Sequence, residues 1–147
     1  MYIQAAAGGG PRAVTPLISL KRNHFETHVV SADGKLMFAR DINGKAQLYS
    51  IDGGEPRGIP GWKAEDLWIN WSVDGHSAYI YDDDKTSALV YRLDLGTGKR
   101  ELVATLAPSD SAGVTAIVNV RMTADGKFYA YSYSRELSDL FLAGGVR

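Results

Sequence analysis

One turn recurs three times along this chain, and that repetition constrains the fold more than any other feature. Ser31-Ala32-Asp33-Gly34, Ser72-Val73-Asp74-Gly75 and Thr123-Ala124-Asp125-Gly126 each lead into an apolar run: Leu36-Met37-Phe38-Ala39, Ala78-Tyr79-Ile80-Tyr81 and Phe128-Tyr129-Ala130-Tyr131. Aromatic and aliphatic residues in short runs suit pleated, packed strands. The Ser or Thr hydroxyl and the Asp carboxylate can bond nearby backbone N–H groups, and glycine takes the positive φ that such a turn demands. A second landmark follows each turn: Leu48-Tyr49-Ser50-Ile51, Val90-Tyr91-Arg92-Leu93 and Leu140-Phe141-Leu142. From Asp to aromatic (Asp33 to Tyr49, Asp74 to Tyr91, Asp125 to Phe141) the separations are 16, 17 and 16 residues. Glycines close each unit at Gly53-Gly54, at Gly96 and Gly98, and at Gly144-Gly145, where a second hairpin turns.

Each unit therefore reads as strand, Asp-Gly turn, strand, loop, strand, glycine turn, strand. The turns lie 41 residues apart (Asp33 to Asp74) and then 51 (Asp74 to Asp125), a spacing that suits four-stranded propeller blades. The opening Tyr2-Ile3 followed by Gly9-Gly10-Pro11-Arg12 parallels Tyr49-Ser50-Ile51 followed by Gly54-Glu55-Pro56-Arg57, so the chain starts in mid-unit and, at Gly144-Gly145-Val146-Arg147, ends in one. The expected fold is all-β: a β-propeller fragment of about three four-stranded antiparallel blades, with partial blades at the ends. It forms a single partial propeller over 1–147, with blades at about 26–60 and 67–106 and blade remnants at 1–16 and 120–147. A β-sandwich is the alternative. The propeller is favoured because the repeat keeps its internal register and because the second strand of each unit is apolar on both faces, as expected of a sheet covered on both sides. Three blades and parts of two more fall short of a closed ring, so self-association is expected, a head-to-tail homodimer of six to seven blades being one closed solution.

Composition removes several function classes. A formal net charge of -1, with Lys and Arg scattered singly or in pairs, provides no basic face for nucleic acid. With no cysteine there is no disulfide, thiolate nucleophile or Cys-ligated metal in this chain. The first ten residues lack the n-region and apolar h-region of a secretory signal. No run approaches the roughly 18 to 20 apolar residues needed to span a bilayer, so a soluble chain without membrane contact is expected, in a compartment the sequence does not specify.

The chemical motifs are weak. Gly96-Thr97-Gly98-Lys99-Arg100 has its first glycine misplaced for a phosphate loop and Arg100 where a Ser or Thr would meet magnesium, so it reads as a hairpin turn. Asp82-Asp83-Asp84 has no EF-hand spacing and reads as a solvated loop. His24, His28 and His76 form no His-Glu-x-x-His pattern, and Ser132 and Ser134 lack a Gly-x-Ser-x-Gly elbow. Trp68 and Trp71 belong on the innermost strand of a blade as core residues. No catalytic residue, cofactor or metal site is expected.

The repeats resemble the Asp-Gly-containing WD40-like (PD40) repeats of TolB-type propellers. Phe38-Ala39-Arg40, Ser134-Arg135, Ile51-Asp52-Gly53-Gly54 and Leu93-Asp94-Leu95 match that scheme, while Ala32, Val73 and Ala124 stand where those repeats carry proline. From Trp71 to Arg147, through Val90-Tyr91-Arg92-Leu93-Asp94-Leu95 and Thr123-Ala124-Asp125-Gly126-Lys127, the chain is similar to the C-terminal propeller regions of bacterial, especially acidobacterial, serine/threonine protein kinases. That resemblance implies a non-catalytic module that binds or senses a protein or ligand. None of the kinase motifs is present in this chain. The alternative is the propeller portion of an enzyme, a prolyl-peptidase-like hydrolase or a lyase, whose catalytic part is elsewhere.

In a propeller the loops joining fourth to first strands and second to third strands share one end, and loops on a rigid scaffold carry recognition. Here they gather Gly61, Trp62 and Lys63; Asp82, Asp83, Asp84 and Lys85; Ser109, Asp110 and Ser111; and Arg135 with Glu136. Mixed charge around one exposed Trp predicts a peptide or protein partner, or the missing blades of a parent propeller.

Overall fold

The computed structural model describes residues 2–15, 30–84 and 86–138, with backbone only for Asp83 and Asp84. Every element there is a strand, every pairing is antiparallel, and the described residues contain no helix. β1 (Tyr2–Ile3) pairs with β2 (Arg12–Ala13). β3 (Leu36–Arg40), β4 (Ala46–Ser50) and β5 (Arg57–Gly58) form a three-stranded meander, and a bridge from Val30 to Met37 marks a fourth position inside β3. β6 (Leu67–Trp71), β7 (Ser77–Asp84), β8 (Ser87–Asp94) and β9 (Arg100–Leu106) form a complete four-stranded meander. β10 (Val114–Met122) and β11 (Tyr129–Arg135) make the last described pair. The expected segment around Leu140 to Leu142 and the closing Gly144-Gly145 lie outside the described residues, as do His24 and His28.

The three turns are built alike. Gly34, Gly75 and Gly126 sit at φ 70°, 69° and 71°, and their N–H groups donate to the carbonyls of Ser31, Ser72 and Thr123. In the first turn Asp33 Oδ1 accepts from the Ser31 hydroxyl and the Lys35 N–H, and the Ser31 oxygen accepts from Leu36 N–H. Thr123 and Asp125 repeat these bonds in the third turn. In the second, Asp74 does the work of both side chains, accepting from the N–H groups of His76 and Ser77, the Ser77 hydroxyl and the Arg92 guanidinium. Burial opposes its ionisation, but those donors outweigh the penalty and lower its pKa to about 2.

The sheets stack face on face. β3–β5 present Phe38, Leu48 and Ile59 to Trp68, Trp71, Ile80 and Leu93 of β6–β9. The opposite face of β6–β9, with Ile69, Tyr79, Tyr81 and Val90, packs on Val114, Ile117, Val120 and Met122 of β10. Behind β3–β5, Met37, Ala39 and Tyr49 meet Val14, next to β2. Consecutive side chains point to opposite faces of a strand, which is why Ala78 and Ile80 reach one neighbouring sheet while Tyr79 and Tyr81 reach the other. Strands β6 to β8 are therefore covered on both faces, while β9 at the sheet's edge is exposed at Glu101, Leu102, Val103 and Thr105; a two-layer sandwich leaves one face of each sheet wet. Burying a side chain such as Ile80 or Leu93 contributes roughly 1.5–3 kcal/mol.

Three expectations are corrected. Asp82, Asp83 and Asp84 are not loop: β7 runs through Asp84, pairing these residues with Leu89, Ala88 and Ser87 of β8. The ladder hydrogen bonds available from the long β8 outweigh the poor strand propensity of an acidic run. The last unit begins at Val114, not near 120. Asn119 adopts φ 54° where the β10–β11 register shifts between Val118 and Arg121, and this irregularity breaks the period-2 pattern that would have revealed the strand. Finally, β11 and its approach are not covered on both sides, since Phe128 is 71% and Tyr129 53% exposed.

Candidate functional site

The site is best built from Asp66, the one acidic side chain among the described residues that is completely buried. It closes the segment between β5 and β6 by accepting from Lys63 N–H at 2.6 Å. Its two carboxylate oxygens receive the Arg100 guanidinium at 2.8 and 2.9 Å, a bidentate pair across 34 residues of sequence. Arg100 also donates to Gly61 O and lies 4.4 Å from the centroid of the Tyr91 ring. The backbone carbonyl of Asp66 accepts from Arg40 at the end of β3, 2.7 Å away. A buried charge is tolerated only when it is paired and hydrogen-bonded, and Asp66 meets both conditions by tying the segment to the sheets on either side.

Gly61 and Gly98 fasten the same segment a second way. Both adopt positive φ, and a Cβ on Gly61 would collide with the carbonyl of Gly98, while one on Gly98 would stand 2.8 Å from Gly61 N. Only glycine permits so close a backbone approach. Gly96-Thr97-Gly98 is accordingly a hairpin turn, organised by Asp94 Oδ1, which accepts from Gly96 N–H, Thr97 N–H and the Thr97 hydroxyl.

Held this way, the segment forms one wall of a groove of about 600 Å³, whose other wall is the loop from β3 to β4. Gly58, Ile59, Pro60, Trp62 and Ala64 face Arg40, Asn43, Gly44, Lys45 and Ala46. Trp62 is half-buried and packs on Phe38 at 5.3 Å between centroids; Phe38 in turn stacks on Trp68 at 4.3 Å. The Arg40 guanidinium stands 5.2 Å from the centroid of the Trp62 ring and also donates to Gly44 O. Asp41 does not face the groove as a free carboxylate: it accepts from Asn43 N–H, Lys45 N–H and the Gln47 amide. The lining thus carries two cations and, among the described residues, no carboxylate, imidazole, thiol or hydroxyl. A groove of this size, largely apolar with a few polar groups, has the character of a small-ligand or peptide site.

A smaller cavity of about 510 Å³ lies among the Asp-Gly turns and includes Lys35, Arg57, His76 and Asp94. Its carboxylates are engaged by their own turns. The Ser31 hydroxyl and Lys35 N–H hold Asp33 below the usual carboxylate range, and Thr97 and Gly96 N–H groups do the same for Asp94.

No protein-family model, no curated protein and no solved structure matches this chain.

The residues expected to form one binding end separate in the structure. Trp62 lines the groove; Lys63 flanks it with its N–H committed to Asp66. Asp82 is in β7, and the side chains of Asp83 and Asp84, with all of Lys85, lie outside the described residues. Arg135 is engaged elsewhere: its guanidinium donates to Asp110 Oδ2 at 3.1 Å and to the Asp110 carbonyl, and Glu136 N–H donates to Gly113 O. These bonds latch the loop between β9 and β10, including Ser109 and Ser111, onto the end of β11. Sequence reasoning missed Arg40, Asn43 and Lys45 as groove residues and the Asp66–Arg100 pair behind them. Arg40, directly after the first apolar run, carried a faint signal; the pair carried none.

Proposed function

We propose that the chain is part of a β-propeller that works as a non-catalytic protein- or ligand-binding module, with its site in the groove between residues 40–46 and 58–64. The observation that carries this reading is the groove itself, an apolar recess walled by a strand-connecting loop and an inter-sheet segment pinned by Asp66, Arg100 and Gly98. The propeller architecture rests on the threefold turn, the antiparallel meanders and strands β6 to β8 covered on both faces. Blades stacked on one another around an axis have these properties. A binding rather than a catalytic role is favoured because the described lining of the groove holds no carboxylate, imidazole, thiol or hydroxyl to act on Lys45 or on a substrate. Membership of a TolB-like propeller, C-terminal in a kinase-linked parent, is the reading that the second-half sequence motifs support. Among the described residues no helix is long and apolar enough to cross a membrane.

The test is hydrogen exchange read by mass spectrometry on the full chain, with and without a random pool of short peptides. Protection at 41–45 and 58–64 is expected. Protection confined to other loops, or turnover of a peptide substrate, would overturn the reading.

A further inference from the structure

We infer that the groove takes the free C-terminal carboxylate of a peptide whose last side chain is apolar. This rests on the binding-module reading and specifies its ligand. The charge in the groove is one-sided. Lys45 is exposed at the rim and makes no ion pair among the described residues, and the nearest acidic side chain in sequence, Asp41, is consumed by its own loop; buried Arg40, committed to Gly44 O and Asp66 O, adds only background positive potential. A ligand carboxylate would therefore meet favourable potential with no carboxylate on the lining to repel it. The floor is apolar: Ile59, Ala46 and the Trp62 ring belong to the cluster between the two sheets. An apolar side chain placed there removes further hydrocarbon from water.

Two features favour a peptide terminus over a small free acid. Exposed Asn43 and Lys45 stand on one side and exposed Gly58 and Pro60 on the other, so the groove opens to solvent and lets a chain run out. The Asn43 side chain, both donor and acceptor, suits a peptide group at that exit. Trp62 adds a polar group of its own, since its indole N–H is buried without an acceptor. A bound carboxylate or peptide carbonyl could supply one after a small movement of the ring, relieving the cost of an unmade bond.

The experiment measures binding of the full chain to fluorescein-labelled Gly-Ser-Gly-Ser-Leu as the free acid and as the C-terminal amide, with unlabelled N-acetyl-leucine as competitor. The acid should bind on the order of 10-fold more tightly than the amide, and added salt should weaken it because the pairing is exposed. Lys45→Gln should weaken the acid about 3-fold and leave the amide unchanged, as one exposed ion pair is worth little. Lys45 is exposed, so its variant stays folded, unlike a variant of the buried Arg40, and near-ultraviolet circular dichroism checks this. Equal binding of acid and amide, with protection still at the groove, would overturn the carboxylate while leaving the module reading intact. N-acetyl-leucine competing as strongly as the peptide would overturn the peptide terminus. Failure of every probe to bind would overturn the apolar C-terminus as ligand, and protection mapped away from the groove would sink both readings.

Discussion

β7 and β11 follow the same Asp-Gly turn at corresponding positions, yet one is buried from Ser77 to Tyr81 and the other is largely exposed. In β7, Ala78 and Ile80 fill one interface and Tyr79 and Tyr81 the other. In β11, only Tyr131 packs on the core, its hydroxyl donating to Ala107 O at 2.9 Å, while Ala130, Ser132 and Ser134 point the other way into solvent. The outer face at β10 is no more apolar: Val118 pairs with Ser132 and Arg121 with Ala130. The same local grammar therefore produces strands of quite different energetic weight. A turn motif sets where a strand begins and which residues alternate; the neighbouring sheet decides what that alternation is worth.

The largest effect should come from the central sheet's buried pair. Arg100→Met leaves the Asp66 carboxylate buried and unpaired and should cost about 3–5 kcal/mol, read as a lower urea midpoint at unchanged slope. Adding Asp66→Leu should restore most of that loss; an unrecovered double variant would mean that the Lys63 and Arg40 contacts dominate. Gly61→Ala should cost about 2–4 kcal/mol, combining an unfavourable positive φ with overpacking against Gly98. Ile80→Ala should cost about 2–5 kcal/mol, whereas Ser132→Val, on the outer face of β11, should stay within about 0.5 kcal/mol. Similar costs at the two positions would erase the contrast between the strands. The smallest effect is pH-dependent. Asp74 has a folded pKa near 2, below its unfolded value, so its contribution is complete above about pH 4 and lost as pH falls through the folded pKa. Asp74→Asn should flatten acid unfolding between about pH 4 and 2 by an amount on the order of 1 kcal/mol, reduced by solvent screening. Asp125→Asn, in the third turn, where no Arg among the described residues pairs with the carboxylate, should flatten it less.

The strands were legible because turn chemistry and side-chain alternation are local. Ser31, Asp33 and Gly34 announce their own hydrogen bonds, and Trp68 and Trp71 read as core from their place beside the second turn. The extent of β7 was hidden because Asp82 to Asp84 contradict strand propensity and are held by β8. β10 was foreshortened because its irregular register at Asn119 leaves no clean period. At the site, Trp62 stood out as an unplaced aromatic in a connecting segment, but its partners did not. Arg40, Lys45 and Asp66 converge only through the stacking of two sheets, and Asp66 finds Arg100 across a distance that no spacing rule covers.

The contact between Gly61 and Gly98 also governs which parts of the chain can change in length. Two backbones that meet without room for a Cβ fix the span from β5 to β6 almost to the residue. An insertion between 59 and 66 would lift Gly61 off Gly98 and draw Asp66 away from Arg100. The turn through Asp52, Gly53, Gly54 and Glu55 is exposed and meets no such partner. It is the natural place for a tag, a nick or a grafted segment, so that reporters can be attached to this protein without disturbing the groove.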